Sequence, residues 1–162
     1  MGIGDEKKTE KTMDTVAVSN EWLEGLTRAP HGQLEGLTMD GLKIVESSKG
    51  FIRCHFTVPD RITDGDGNWH VGAMATMIDD VGAAAIFSLV GHVKASLDFT
   101  ISFLSTAKSE EKMELEAKVV GEKERLASVV IEVRRRSNGE LIALGKQWMA
   151  AHNKHVDRSS KL

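Results

Sequence analysis

The sequence has 162 residues, the size of one ordinary domain, and 41% of them are apolar, which is enough to bury a core. Lys and Arg number 21 against 24 Asp and Glu, a balance that disfavours a protein whose main work is neutralising nucleic-acid phosphates. The single cysteine, Cys54, excludes an internal disulfide framework and a Cys-rich zinc site.

The chain begins with residues 1–13, which are charged, polar and without periodicity, so we predict disorder there. Apolar residues at helical spacing then predict a short amphipathic helix over about 15–27, which ends before Pro30. The folded domain is expected to span 14–151 and to be followed by a flexible polar tail, 152–162.

Two strands are predicted next, around 42–46 and 51–58, with a turn at 47–50 between them. In the second strand, apolar and polar side chains alternate, which predicts one buried face. The longest weakly charged run follows at 70–90 and predicts a helix. Two aspartates interrupt this run near its middle, which is typical of a buried core helix and not of a membrane span, and no membrane partner is expected.

Four further strands follow this helix. They are predicted at 93–104, around 113–119, at 127–133 and at 141–150, with Asn138-Gly139 as a hairpin turn before the last. Strands segregated around one long apolar helix predict an α+β fold, in which an antiparallel sheet wraps around the central helix.

Asp79 is the anomaly of the central helix, because a carboxylate in an apolar setting costs roughly several kcal/mol unless it is paired, hydrogen-bonded or protonated. Steps of three and four residues place Gly72 and Thr76 on its face of the helix, and these small side chains leave room for a ligand. Asp80 projects about 100° away, so the two carboxylates do not form a dyad. The sequence therefore predicts a pocket at Asp79.

The loop 63–70 leads into the start of this helix, where first-turn amides lack intrahelical acceptors and stabilise an oxyanion. A carboxylate two turns further along could deprotonate a water as a general base, or attack as a nucleophile. Acyl transfer to water is the chemistry that these parts favour. The loop also resembles the start of a calcium-binding EF-hand, but it lacks the required Gly and bidentate Glu, so no metal is expected.

From about residue 37 to 150, the chain resembles the small hotdog-fold acyl-CoA thioesterases of the phenylacetate-pathway and thioesterase-superfamily-member-2 type. The resemblance is strongest in His70-Val71-Gly72 followed by Ala75-Thr76-Met77-Ile78-Asp79, in Ser96-Leu97-Asp98 with Ile101-Ser102-Phe103, and in Gly139-Glu140-Leu141-Ile142-Ala143 with Gly145. It implies a hotdog fold, hydrolysis without a cofactor, and sites at the interface of a homodimer, with dimers usually paired into homotetramers.

The resemblance also implies roles for individual residues. The helix carboxylate that activates water or attacks the substrate matches Asp79, and the serine that orients the water matches Ser96. The amide that polarises the thioester carbonyl matches that of Val71, at the first glycine of a His-Gly-Gly motif whose second glycine is Gly72. An upstream asparagine that assists this amide matches Asp64.

Two positions depart from the family pattern. Val71 replaces a glycine, which a backbone N–H donor tolerates unless φ there is positive. Asp64 replaces the asparagine, and an ionised carboxylate cannot donate a hydrogen bond and would repel an oxyanion. Either Asp64 is protonated or it has another role. The alternative donor is Asn68, in the same loop, or Asp66 displaces the register.

Further substrate contacts are expected at positions between residues 70 and 126. His70 orients the start of the helix, and Phe103 either touches the nucleotide or packs. In the family, CoA lies along a strand-turn-strand region that matches Gly121 to Leu126. This match would place Lys123 and Arg125 near the phosphates as charge partners.

The chain ends in Ser160-Lys161-Leu162, the tripeptide that the peroxisomal import receptor reads. The polar tail before it leaves the tripeptide accessible, so we expect this receptor as a partner and a peroxisomal location. The expected activity is hydrolysis of an acyl-CoA thioester to free acid and CoA, with the acyl group left open. The alternative is a non-catalytic hotdog protein that binds acyl-CoA.

Overall fold

The computed structural model describes residues 13–92 and 95–150, and its elements follow the predicted order. The helices are α1 (Thr15–Thr27), α2 (Leu34–Met39) and α3 (Val71–Val90), with a 3-10 turn at Asp60–Ile62. The strands are β1 (Lys43–Ser48), β2 (Phe51–Thr57), β3 (Ala95–Phe103), β4 (Lys112–Lys123), β5 (Leu126–Arg135) and β6 (Leu141–Ala150). The predicted disordered segment, apart from Met13, and the predicted tail lie outside the described residues.

All six strands form one antiparallel sheet in the order β1-β2-β4-β5-β6-β3. Strand β3 follows α3 in the chain and pairs with β6, so β1 and β3 are the two edges of the sheet. Helix α3 packs against β2, β4, β5 and β6. The predicted α+β class, with an antiparallel sheet around a central helix, is confirmed.

Small residues allow α3 to approach the sheet closely. A Cβ atom added at Gly145 on β6 would lie 2.6 Å from Cγ2 of Ile78, and one added at Gly82 would lie 2.7 Å from Oε1 of Gln147. Within the two described ranges, α3 is the only helix long and apolar enough to cross a bilayer, and two thirds of its most apolar stretch is buried inside the protein. Its apolarity is therefore that of a core helix, since the sheet and α1 cover it.

The ends of α3 follow from local chemistry. At its start, Nδ1 of His70 accepts a hydrogen bond from the Gly72 amide at 3.0 Å. At its end, Gly91 adopts a φ of 81°, a left-handed conformation that glycine reaches without a steric penalty. Twenty residues at 1.5 Å each give the helix a length of about 30 Å.

Sequence periodicity did not predict α2 or the 3-10 turn, because six and three residues are too few to display a helical repeat. Helix α2 also contains Gly36, a residue of low helix propensity. A Cβ there would lie 2.2 Å from the Ala29 carbonyl oxygen, so the glycine is required by the close approach of the preceding loop. Together, α1 and α2 cover one side of α3.

Candidate active site

Three side chains from three elements meet at the middle of α3. The Ser96 hydroxyl, at the start of β3, donates to Oδ1 of Asp79 at 3.0 Å. The Gln147 amide nitrogen, from β6, donates to the same oxygen and also to the Ser96 hydroxyl oxygen at 3.0 Å. The structure therefore brings together Asp79 and Ser96, as the resemblance implies, and adds Gln147.

The two oxygens of the Asp79 carboxylate differ in their surroundings. Oδ1 accepts both hydrogen bonds, whereas no donor within the described residues reaches Oδ2. Asp79 is half-buried, while Gln147 is fully buried. One carboxylate oxygen is thus held in place and the other is left for a water or a substrate.

Ser96 lies where β3 departs from regular pairing. The register with β6 shifts between Ser96 and Asp98, which leaves Leu97 as the extra residue of a β-bulge. Bulges turn a neighbouring side chain out of its regular direction and are frequent beside active sites. Here the bulge places the Ser96 hydroxyl against the carboxylate of α3.

Asp80 is the immediate neighbour of Asp79 but has a different environment. No described residue donates a hydrogen bond to its side chain. Burial raises the pKa of the Asp80 carboxyl to about 7, with further repulsion from the charges of Asp79 and of Glu35 on α2. The two adjacent carboxylates therefore differ in their hydrogen-bond partners.

Asp64 acts as an acceptor in its loop. Its Oδ1 accepts hydrogen bonds from the backbone amides of Asp66 and Asn68, both at 2.9 Å, and its Oδ2 accepts one from the Asn68 side chain at 3.4 Å. These bonds, chiefly the one from the Asn68 amide, lower the pKa of the Asp64 carboxyl. Of the two alternatives, the structure favours another role for Asp64 over protonation.

The N-terminus of α3 offers an exposed amide without a partner among the described residues. The Gly72 amide is bonded to His70, whereas the Val71 amide has no hydrogen-bond acceptor in the described part of the chain. Val71 is exposed and is not among the residues with positive φ, so replacing the family glycine imposes no backbone strain. The amide of Val71 is therefore available to hydrogen-bond an anion.

The Val71 amide and the Asp79 carboxylate are well separated within one chain. Eight residues of α-helix at 1.5 Å each place them about 12 Å apart along the axis of α3. An oxyanion donor lies about 3 Å from the oxygen that it stabilises, so the two groups of one chain cannot act on one carbonyl.

A cavity of about 350 Å³ opens beside the first turns of α3. Its walls are largely apolar and come from α2, the 3-10 turn and α3, with Leu34, Leu37, Ile62, His70, Gly72 and Thr76 among the lining residues. Gly72 and Thr76, the small residues predicted on the Asp79 face, line this cavity, whereas Asp79 itself does not.

The remaining predicted contacts lie at two ends of the sheet. Ala150 of β6 pairs with both Leu126 and Ala95, so the turn between β4 and β5, which carries Arg125, lies two strand spacings, or about 10 Å, from the start of β3. Lys123 and Gly121 belong to the same end of β4. By contrast, Phe103 is seven residues from Ser96, about 23 Å along β3, and is exposed.

Sequence reasoning did not identify Gln147. Its signal is the alternation of β6, in which Ala143, Gly145 and Met149 share the inward face with this one polar residue. A fully buried amide is expected to hydrogen-bond, because a buried unsatisfied polar group costs about 1–3 kcal/mol. A glutamine at an inward position is therefore a natural partner for the carboxylate of α3.

The only cysteine is not a nucleophile, because burial raises the pKa of the Cys54 thiol to about 12. Residues 13–92 and 95–150 hold no group of three or more His, Cys, Asp or Glu side chains placed to bind a metal ion.

Comparison with known proteins finds thioesterases. The model of the Thioesterase superfamily matches residues 66–142. Acyl-coenzyme A thioesterase 13 from Homo sapiens is 28% identical over 116 residues, which cover 71% of this chain and 79% of the human protein.

Two solved structures share the fold. Thioesterase superfamily member 2 from zebra fish superposes with a TM-score of 0.78 at 22% identity, over 85% of this chain and 99% of that one. A hypothetical thioesterase from Streptococcus pneumoniae, determined with coenzyme A, superposes with a TM-score of 0.65 at 17% identity, over 68% and 88% of the two chains. The chain described here is similar to the thioesterase superfamily over residues 66–142 and has the hotdog fold.

Proposed function

We propose that the protein is an acyl-CoA thioesterase, which hydrolyses an acyl-CoA thioester to a free acid and CoA. The observation that carries this proposal is a half-buried carboxylate on the central helix with one oxygen fixed by Ser96 and Gln147 and the other oxygen without a donor among the described residues. The similarity of residues 66–142 to the thioesterase superfamily supports it, as do the name of the human relative and the CoA in the pneumococcal structure.

In the proposed reaction Asp79 acts as general base. Its Oδ2 takes a proton from a water held beside Ser96, and the water oxygen forms a bond to the thioester carbon. The carbonyl oxygen becomes an oxyanion, which a backbone amide stabilises. When the carbon–sulfur bond breaks, the proton on Asp79 passes to the CoA thiolate, which leaves the free acid and restores the carboxylate. Direct attack by Asp79 on the carbonyl is the second route open to this carboxylate.

We propose that the site is completed across a homodimer. Since about 12 Å separates the Val71 amide from Asp79 along one helix, the oxyanion donor must come from elsewhere, and an equivalent amide on a second copy is available. The β3 edge suits such contact because it is long, unpaired on its outer side, and carries exposed apolar residues, Leu97, Phe99 and Phe103. Pairing of dimers into tetramers is the further expectation from the family resemblance.

The phosphates of CoA are proposed to lie near the turn between β4 and β5. Lys123 and Arg125 supply positive charge there, about two strand spacings from the start of β3, which carries Ser96. A pantetheine arm that enters from this turn would bring the thioester toward Asp79. The acyl group could then extend into the apolar cavity beside Gly72 and Thr76, or its counterpart on a second copy.

Release of free thiol by the purified protein tests this function directly. We expect turnover of at least one member of a panel of aliphatic and aromatic acyl-CoAs, and loss of that turnover in Asp79→Asn. The assay uses the full chain, because the described residues end at Ala150 and the tail lies beyond them. Absence of turnover from all substrates would reject the enzyme.

The second candidate, a non-catalytic acyl-CoA-binding protein, is favoured by one observation. Asp64, which matches the asparagine beside the oxyanion in the family, has a lowered pKa and accepts its hydrogen bonds, so it cannot donate to a carbonyl. Equilibrium binding of an acyl-CoA without thiol release would identify this function.

We also propose a peroxisomal location, which depends on Ser160, Lys161 and Leu162. These residues lie outside the described ranges, and the proposal rests on their sequence alone. A fluorescent protein with residues 152–162 attached to its C-terminus should enter peroxisomes. The same fusion with Leu162 deleted should remain in the cytosol. Equal distribution of the two fusions would reject the proposal.

A further inference from the structure

Gln147 is the one polar side chain on the inward face of β6, and it is fully buried. Its strand is flanked on both sides, since Gln147 pairs with Phe99 of β3 and with Val129 of β5. The side chain therefore projects from the interior of the sheet toward α3, where its nitrogen reaches both Asp79 and Ser96.

The orientation of the amide is determined by its surroundings. A carboxylate oxygen accepts hydrogen bonds, so the nitrogen of Gln147 must face Asp79 and the carbonyl oxygen must face away. That oxygen, Oε1, lacks a hydrogen-bond partner among the described residues and lies above Gly82 of α3. A Cβ at Gly82 would lie 2.7 Å from Oε1 and 3.0 Å from Cδ1 of Ile131, so this space admits the amide only because residue 82 is glycine.

The contact with Ser96 directs the serine hydroxyl. Because the amide nitrogen of Gln147 donates to the Ser96 oxygen, the single hydroxyl hydrogen of Ser96 is free to point at Oδ1 of Asp79. Both hydrogen bonds then converge on Oδ1, which restricts rotation of the carboxylate and leaves Oδ2 without a donor among the described residues. An isolated pair of Asp79 and Ser96 would lack this constraint.

We infer that Gln147 is a positioning residue, which orients Asp79 and Ser96 for water activation and which depends on Gly82 for its space. The inference rests on the proposed function, because it assigns to Gln147 a part in the same reaction. Gln147 does not touch the reacting atoms. It acts through the two side chains that do.

The test compares Gln147→Met with wild type. Methionine preserves length and apolar contact but donates no hydrogen bond. Loss of hydrogen bonds to a charged group should lower kcat about 10- to 100-fold while KM changes less than about 3-fold. Because hydrogen bonds favour the charged carboxylate, their loss should also move the acid limb of the pH–kcat profile to higher pH.

Two further variants separate positioning from folding. Gln147→Glu places another carboxylate beside Asp79, in addition to that of Asp80. Repulsion should then move the acid limb of the pH–kcat profile to still higher pH. Ile142→Val, a buried change on the same strand five residues away, should lower thermal stability without moving the limb. An unmoved limb in both Gln147 variants, or a movement of equal size in Ile142→Val, would overturn the inference.

A readout independent of turnover distinguishes this inference from the proposed function. The carboxyl carbon of Asp79 can be titrated by ¹³C NMR in the full-length wild type and in Gln147→Met, and its midpoint should move to higher pH in the variant. A wild type that hydrolyses no thioester but shows this movement would reject the function and retain only the coupling of Gln147 to the Asp79 carboxylate. An active wild type with the same midpoint in both proteins would reject the inference alone.

Discussion

The two sides of α3 carry adjacent carboxylates in contrasting environments. On the β3 side, Asp79 receives hydrogen bonds from Ser96 and Gln147. On the α2 side, Asp80 receives none from the described residues, and burial together with the charges of Asp79 and Glu35 raises its pKa to about 7. The comparison teaches that two adjacent carboxylates on one helix acquire different hydrogen-bond partners and charge environments from the elements packed against them.

The largest expected effect comes from removing the carboxylate on the β3 side. Asp79→Asn should lower kcat by about 10²- to 10⁴-fold, the range that general-base catalysis contributes, because the amide cannot accept a proton from water. The matched control is Asp80→Asn, in which kcat should change less than about 3-fold. Steady-state hydrolysis at pH 8 measures kcat of both variants. Equal losses of kcat would show that the two carboxylates do not differ in their contribution to the reaction.

The next effect concerns the sheet edge beside Asp79. A Leu97→Lys, Phe99→Lys double variant should disrupt the proposed dimer, because it places two charges on the exposed apolar edge of β3. The monomer should lose at least about 10²-fold in kcat, the contribution of one oxyanion donor.

Sedimentation velocity and hydrolysis measure this pair of outcomes. Val45→Lys provides the control, since Val45 is exposed on β1, the opposite edge of the same sheet. It should retain the mass of the assembly and its activity. A β3-edge variant that is monomeric and fully active would reject a site shared between subunits.

The third effect is on stability, and it concerns Asp80. Its pKa rises from 3.8 to about 7 on folding, so the folded state holds the proton more tightly. The free energy of unfolding should therefore fall as pH rises from about 4 to 7, and it should stay low above that window. Asp80→Asn carries no charge, so it should exceed wild type by roughly 2–4 kcal/mol at pH 8.

Urea denaturation at pH 4.5 and pH 8 measures this difference. At pH 4.5 wild-type Asp80 is protonated in the folded state, so the two proteins should be closer in stability. If the difference in free energy of unfolding between Asp80→Asn and wild type were the same at pH 4.5 and pH 8, the charge of Asp80 would not be destabilising in the folded protein.

Much of the fold could be predicted because its signals are long. Alternation of apolar residues in β4 and β5 and the apolar run of α3 each extend over ten or more residues. Helix α2, at six residues, gives no comparable repeat. Its Gly36 is required by the close approach of the preceding loop, which no periodic pattern reveals. Secondary structure of sufficient length is thus encoded locally, whereas short covering elements depend on tertiary contact.

From the residue pattern alone, the candidate site was predictable only where a residue violated its local pattern, whereas Ser96 was indicated by the family resemblance. Asp79 interrupts an apolar helix, and this conflict identified it without any structure. Gln147 likewise interrupts the apolar inward positions of β6. Its role can be recognised only when the structure shows that α3 places Asp79 beside it. The contrast between Asp79 and Asp80 was likewise inaccessible, because it depends on Ser96 and Glu35 from elements distant in sequence.

The smallest expected effect tests whether Asp64 belongs to the chemistry or to its loop. In Asp64→Asn the remaining carbonyl oxygen can still accept from the amides of Asp66 and Asn68, as Oδ1 does in wild type. The rate should therefore change less than about 3-fold, as for other exposed positions. Asp64→Ala removes the acceptor altogether and should destabilise the loop more than Asp64→Asn does.

The pH dependence of this position has the opposite sign to that of Asp80. Hydrogen bonds lower the pKa of Asp64, so its contribution to stability is present above the unfolded pKa of 3.8 and is lost as pH falls through the lower folded value. Asp64→Asn should flatten that acid loss in urea denaturation below pH 4. If Asp64→Asn instead turned over substrate at least about ten times faster than wild type, the new amide would be donating to the oxyanion, and the native carboxylate would be limiting the reaction.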